Sequence, residues 1–292
     1  MITPFAITWG PSPDIFSRGL LHIRYYSLLF VSGFIIGYWL FIKFFKREKL
    51  PLDILDTLLY TLLIATIVGA RLGHCLFYEP EYYLTRPLEI FKVWEGGLAS
   101  HGGAIGILIA IWFWVKRYGK RYNFDYVWLL DRLGIAIPLA GALIRIGNFM
   151  NSEIYGNPTN LSWGVIFTLR GETIAKHPAQ LYEALAYLVL FVVQVAIWKR
   201  YLPKIKRGIL FGIFLIGTFG ARFLIEFIKE PQVAFEQGMR LNMGQWLSMP
   251  FVVAGVAFIV YGYVTKRPAM IEEAAPKKRK GDTGKVNVRP AR

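Results

Sequence analysis

Charge is scarce in this chain of 292 residues: only 18% are Asp, Glu, Lys or Arg, while 55% are hydrophobic and 16% aromatic. A soluble domain carries roughly 25% charged residues, so a globular surface could not be covered, and disorder is excluded everywhere but the tail. The one cysteine, Cys75, excludes a disulfide-stapled secreted scaffold, and it reads as a core residue rather than a nucleophile. The four histidines never cluster. There is no His-Glu-x-x-His, no phosphate-binding glycine loop and no Gly-x-Ser-x-Gly elbow. Metal hydrolysis, kinase activity and ATP-driven pumping therefore lack their usual parts, and no cofactor or metal is expected. The first 24 residues also lack a basic n-region and a small-residue cleavage site. The first apolar run accordingly reads as a retained helix and not a removed signal peptide.

Long apolar runs are plentiful. Seven candidate spans lie at about 25–44, 56–77, 98–116, 127–149, 179–198, 208–228 and 243–264, each near the ~20 residues needed to cross hydrocarbon. Basic residues divide unevenly between their ends. Of the 34 Lys and Arg, 22 follow spans one, three, five and seven, eight lie on the opposite side, and Arg71, Arg132, Arg145 and Arg222 fall inside spans. Positive loops stay cytoplasmic, so the expected class is an all-α polytopic membrane protein, N-terminus outside and C-terminus inside. The net charge of +15 is then a topology signal, and nucleic-acid binding is not expected. One transmembrane domain over 1–266 is expected, with an outer head at about 150–177 in which 163–168 forms a short strand or hairpin. A solvated basic tail over 267–292 follows. The pairs Gly33/Gly37, Gly69/Gly73, Gly102/Gly106 and Gly208/Gly212 have the spacing of close helix packing.

Every span delivers a polar group to one outer level. Tyr25 and Tyr26 open span one, Arg71 lies in span two, and His101 opens span three. Arg145 and Asn148 close span four, followed by Asn151 and Glu153. His177, Gln180 and Glu183 open span five, Arg222 and Glu226 end span six, and Gln245 opens span seven. An arginine at the centre of a spanning helix costs about 2.5–3.5 kcal/mol on insertion scales, so each needs a polar cavity or a partner. Arg145 shares a helix face with Asn148, and Arg222 shares one with Glu226. The second pair is either a neutralising ion pair or one wall of a cationic cavity for an anionic ligand. Asp131 and Arg132, near the cytoplasmic end of span four, read as snorkelling. His101, flanked by Gly96-Gly97 and Gly102-Gly103, is either a silent interfacial histidine or a proton acceptor near neutrality.

The run Gly141-Ala-Leu-Ile-Arg145-Ile-Gly-Asn148-Phe-Met-Asn151-Ser-Glu153-Ile-Tyr-Gly156 resembles the defining motif of bacterial prolipoprotein diacylglyceryl transferases. So do Val93–Gly103, His177-Pro-Ala-Gln180-Leu-Tyr-Glu183, Gly69-Ala-Arg71-Leu-Gly73, Arg222–Phe227 and Met243-Gly-Gln245. The matches are collinear from about 22 to 265. The resemblance implies a seven-helix inner-membrane transferase that moves the diacylglyceryl group of phosphatidylglycerol to the lipobox cysteine thiol of a prolipoprotein signal peptide. A thioether forms and glycerol phosphate leaves, the first step of lipoprotein maturation. On this resemblance Arg145 and Arg222 clamp the phosphate, Asn148, Asn151 and Glu153 bind and orient the lipid head, His101 is the base, and Glu226 positions Arg222. Tyr26 either hydrogen-bonds the head or guards the entrance. Two positions depart from the family pattern: Thr218 replaces a usual tyrosine, and Gln232 a common acid.

Two other classes share parts of the pattern. A transporter of anionic lipid would need an internal repeat and polar residues at the inner depth, and the sequence has no repeat and few such residues. An intramembrane protease would need a Ser–His pair on one face or two membrane aspartates. Ser100 and His101 are adjacent and share no face, and the spans hold only Asp131.

Overall fold

The computed structural model of the chain describes residues 6–18, 21–231 and 238–271. Gln232 and most of the expected tail lie outside these. The long elements are α1 (Tyr25–Arg47), α2 (Asp53–Phe77), α4 (Ser100–Tyr122), α5 (Tyr126–Met150), α6 (Ala179–Tyr201), α7 (Ile209–Ile225) and α8 (Met243–Thr265), with a short α3 (Pro80–Thr85) between α2 and α4. Six helices are long and apolar enough to cross a membrane, α7 being extended by a 3-10 turn to Ile228. The helix at the third expected span, α4, is equally long at 23 residues. Its glycines, its two tryptophans and its basic last turn dilute its hydropathy, and it is not among the six.

Helix α5 is the hub and packs against α1, α6 and α7, while α2 pairs with α4 and α7 with α8. Its start is fixed by Asp125, whose carboxylate accepts the Trp128 N–H at 2.8 Å, the service an N-cap performs for orphan amides. The glycine pairs do what their spacing predicts where two helices meet backbone to backbone. A Cβ on Gly69 would lie 2.5 Å from the Gly102 carbonyl oxygen, and one on Gly212 would lie 2.6 Å from that of Gly255. Gly37 differs, since nothing lies within 4 Å of its Cβ position. It opens onto an apolar cleft of about 190 Å³ between α1, α2 and α5 that Phe34, Leu62, Ile137 and Ala140 help to line.

At one end of the bundle Asp131 and Arg132 are fully buried, so the expected snorkelling is corrected. Asp131 accepts the N–H groups of Gly208 and Phe211 at 2.9 Å each, capping α7. Arg132 donates to Glu48 through Nε at 3.0 Å and to the Ala269 carbonyl at 2.7 Å, and Glu48 also accepts from Trp128 Nε1 at 2.8 Å. The side chains find partners inside the bundle, so they have no cause to reach for water. Residues 267–271 share this knot. Ala269 is buried and bonds to the Ile205 carbonyl, and the Ile271 N–H donates to Glu48 at 3.0 Å. The beginning of the expected tail is thus packed structure, not a solvated extension. The apolar core beside these pairs includes Phe44, Phe45 and Trp128.

At the other end two short ladders form. Strand β1 (Ile7–Trp9) pairs parallel with β4 (Val165–Phe167), and β2 (Asp14–Arg18) pairs antiparallel with β3 (Leu21–Arg24). The strand expected within 163–168 therefore exists, but its partner is the N-terminal segment. Trp9 fixes it by donating Nε1 to the Phe149 carbonyl at 3.2 Å, which ties β1 to the last turn of α5.

Candidate active site

The last two turns of α5 and the loop after them carry the polar row. Arg145 ion-pairs through Nε with Glu183 Oε2 at 2.7 Å and donates from Nη1 to Asn148 Oδ1 at 3.1 Å. Asn148 donates onward to Glu153 Oε1 at 2.7 Å, which Asn151 also reaches at 3.3 Å. Gln180, fully buried in the first turn of α6, donates to the Glu153 carbonyl at 2.6 Å. One contiguous chain of bonds thus orders four of the expected site residues.

Local backbone makes this possible. Ser152 and Ile154 adopt left-handed φ of 52° and 61°, which folds the loop sharply back so that Glu153 faces Asn148. Gly147 leaves room for Tyr26, whose Cδ2 would lie 2.8 Å from a Cβ there. Tyr26 is half-buried and within electrostatic reach of Arg145 and Glu153. Gly156 closes the motif: its N–H donates to the His177 carbonyl at 2.8 Å, and a Cβ would come within 2.4 Å of the Ile228 carbonyl oxygen. The loop after α5, the entry to α6 and the exit of α7 are stitched together there.

Around this row the outlying groups are also paired. Tyr155 donates to Glu172 at 2.8 Å, and burial followed by that carboxylate pushes its hydroxyl up to about 12. Burial lowers His177 below its ordinary 6.5 and favours the neutral ring. A pocket of about 330 Å³ lies beside Glu153, with Tyr155, Arg170 and Glu230 in its wall.

Other expected residues stand differently. Glu226 ion-pairs with Lys229 at 3.3 Å, not with Arg222. Among the described residues the Arg222 guanidinium forms no hydrogen bond or ion pair, although it lies within electrostatic reach of Tyr187, as do Arg145 and Glu183. His101 is exposed in the first turn of α4 and makes no bond to the Arg145 row. Arg71 is buried and fully spent on backbone, donating to the carbonyls of Glu89 at 2.6 Å, Ile90 at 2.9 Å and Gly96 at 2.6 Å. It anchors the segment between α2 and α4. Thr218 Oγ1 is buried without a partner, and Phe219 stacks on Phe251 with ring centroids 4.2 Å apart.

Two residues take a place in the site that the sequence reading did not give them: Glu183, named there at the outer level but without a role, and Lys229. Glu183 is fully buried, ion-paired with Arg145 through Oε2 and accepting a hydrogen bond from Lys229 at Oε1 at 2.8 Å. Lys229 reads in sequence as an ordinary loop charge just beyond a span, and only its burial marks it out. Its one sequence signal is that it lies three residues beyond Glu226.

A buried Arg–Glu–Lys–Glu chain beside an unpaired arginine, in a bundle of apolar helices, is the arrangement to set beside known proteins. The model of the family "Prolipoprotein diacylglyceryl transferase" matches residues 13–261. The chain belongs to this family. A phosphatidylglycerol–prolipoprotein diacylglyceryl transferase of Tolumonas auensis is 48% identical over 252 residues, covering 86% of this chain and 96% of the relative. One from Chloroherpeton thalassium is 46% identical over 260 residues, covering 89% and 95%. A third, from Porphyromonas gingivalis, is 44% identical over 275 residues, covering 89% and 96%. The matched residues include α1 to α7, most of α8 and the whole of the Arg145 row.

Proposed function

We propose that the chain transfers the diacylglyceryl group of phosphatidylglycerol to the lipobox cysteine thiol of prolipoproteins at the outer face of the bacterial inner membrane. The observation that carries this reading is the Arg145–Asn148–Glu153 row, anchored on the buried Glu183, with the unpaired Arg222 in the next helix but one. In the reaction the thiolate sulfur bonds to the glyceryl carbon that carries the phosphate, and the carbon–oxygen bond breaks. A phosphodiester with one negative charge becomes a departing glycerol phosphate with two. Charge therefore grows on the phosphate oxygens, where preorganised cationic donors stabilise a transition state most. A guanidinium suits this role because its planar fork binds phosphate bidentately and stays charged.

Arg145, oriented by Glu183, and Arg222 clamp the phosphate. Asn148, Asn151 and Glu153 hold the glycerol head, and Tyr26 closes the wall beside Gly147. His101, exposed at the start of α4, takes the thiol proton. A free thiol has a pKa of about 8.5 and needs such help near neutrality. The apolar cleft beside Gly37 suits the acyl chains. Helix α4 crosses with the other six, since 23 residues at 1.5 Å each exceed the ~30 Å hydrocarbon core. The uneven lysines and arginines put the Arg132 end in the cytoplasm and the head over 150–177 outside.

The test is transfer of radiolabel from phosphatidylglycerol to a lipobox peptide by purified protein in proteoliposomes. Label is expected on the peptide, and it should disappear with Arg145→Ala or with serine in place of the peptide cysteine. His101→Gln should slow transfer. Wild-type protein that binds the lipid yet labels no lipobox peptide would end this reading.

A further inference from the structure

Arg222 and Glu226 stand four residues apart, the spacing at which side chains on one helical face meet. They do not pair. Glu226 turns toward Lys229, with Oε2 3.3 Å from Nζ, and lies against Gly244, where a Cβ would come within 2.5 Å of the carboxyl carbon. Lys229 also donates to Glu183 Oε1 at 2.8 Å. These groups are almost dry, with side-chain exposures of 2% for Lys229, 0% for Glu183 and 8% for Glu226. Of the three cations at these helix ends, Arg145 is ion-paired with Glu183 and Lys229 with both Glu183 and Glu226. Among the described residues the Arg222 side chain is the one of the three with no ion pair.

We propose that Lys229 is the positioning residue of the anion site: by holding Glu226 it keeps that carboxylate away from Arg222 and leaves the guanidinium for a phosphate. The inference rests on the reading of the site under Proposed function and adds a residue to it. In a medium this poor in water an arginine does not stay unpaired beside a free carboxylate, because charge attraction is weakly screened there. Without the lysine, Glu226 would take Arg222 and fill the phosphate site from within. A backbone link supports the same placement, since Lys229 is bridged to Gly156 at the end of the α5 loop, which ties the lysine to the loop that carries the row.

The test compares full-length wild type, Lys229→Met and the double variant Lys229→Met/Glu226→Gln, reading phosphatidylglycerol binding in nanodiscs together with KM and kcat for transfer. Lys229→Met should weaken lipid binding at least tenfold, mostly as KM. Adding Glu226→Gln removes the competing carboxylate and should return KM to within about threefold of wild type. A purely structural role for the lysine predicts no such rescue. The double variant leaves Glu183 paired with Arg145 and no other carboxylate stranded, so it remains decisive if the single variant does not fold. A folded double variant that binds as poorly as Arg222→Ala overturns the proposal, as does a folded Lys229→Met with wild-type KM. Wild-type protein that neither binds the lipid nor transfers it brings down the reading beneath as well. Failure of the double variant alone brings down only the role of Lys229.

Discussion

Arg145 shows how a costly side chain is made useful. Placed in the second half of an apolar helix, it would be expelled or neutralised without a partner. Glu183, on the next helix, supplies one oxygen at 2.7 Å and fixes the direction of the fork. Orientation, not charge alone, is then what a substitution tests. Arg145→Lys keeps a cation beside Glu183 but loses the planar pair of donors, so transfer should fall by about 100-fold or more, as when one preorganised oxyanion donor is lost. The melting temperature in detergent should stay near that of wild type. A lysine variant with wild-type kcat would show that charge suffices. Arg71 looks equivalent in sequence, yet its donors are used up on the Glu89, Ile90 and Gly96 carbonyls. Two arginines with similar neighbours in the chain thus have unrelated tasks.

At the scale of elements, glycine spacing decides how near two helices come. The α2–α4 contact has almost no space for a side chain, and a Cβ on Gly102 would lie 2.3 Å from the Gly69 carbonyl oxygen. Gly102→Leu should therefore separate the pair, displacing the first turn of α4 and His101 with it, and both melting temperature and transfer should drop. The same change at Gly37 meets nothing within 4 Å and instead projects into the apolar cleft. Gly37→Leu should fold normally and raise KM for long-chain phosphatidylglycerol more than for a short-chain analogue. Equal KM changes for the two lipids would remove the cleft from the account of acyl binding. Both glycines belong to the same small-xxx-small pattern, and only the neighbouring helix separates a packing glycine from a cleft glycine.

Across the whole molecule the two ends of the bundle use buried charge in opposite ways. At the Arg132 end the fully buried charges are tied off: Glu48 serves Arg132, Trp128 and the Ile271 N–H, and Asp131 caps α7. At the Arg145 end the Arg222 side chain has no ion pair among the described residues. On the proposed reading the first end holds the bundle closed and the second leaves a place for an anion. Residues 266–271 belong to the closure, so truncation reads it directly. A chain ending at Ile271 keeps the bonds to Ala269 and Ile271, whereas one ending at Thr265 loses both and uncovers a buried ion pair. The shorter chain should melt at a clearly lower temperature in detergent, and equal melting of the two would deny the segment its structural part. Breaking a buried pair outright costs about 3–5 kcal/mol, which bounds the size of the effect.

The sequence alone determined the membrane class, the helix positions to within a few residues and the row from Arg145 to Glu153. These follow from hydropathy, charge bias and three- or four-residue spacing, which are properties of near neighbours in the chain. The tertiary structure decided who pairs with whom. Arg132 meets Glu48 across 84 positions and Lys229 meets Glu183 across 46, distances over which no local period operates. It also overruled a local expectation, since Glu226 pairs with Lys229 rather than Arg222. In a dry interior the partner of an ionised group is the nearest opposite charge that packing brings, so it is set by how helices meet and not by the order of residues along them.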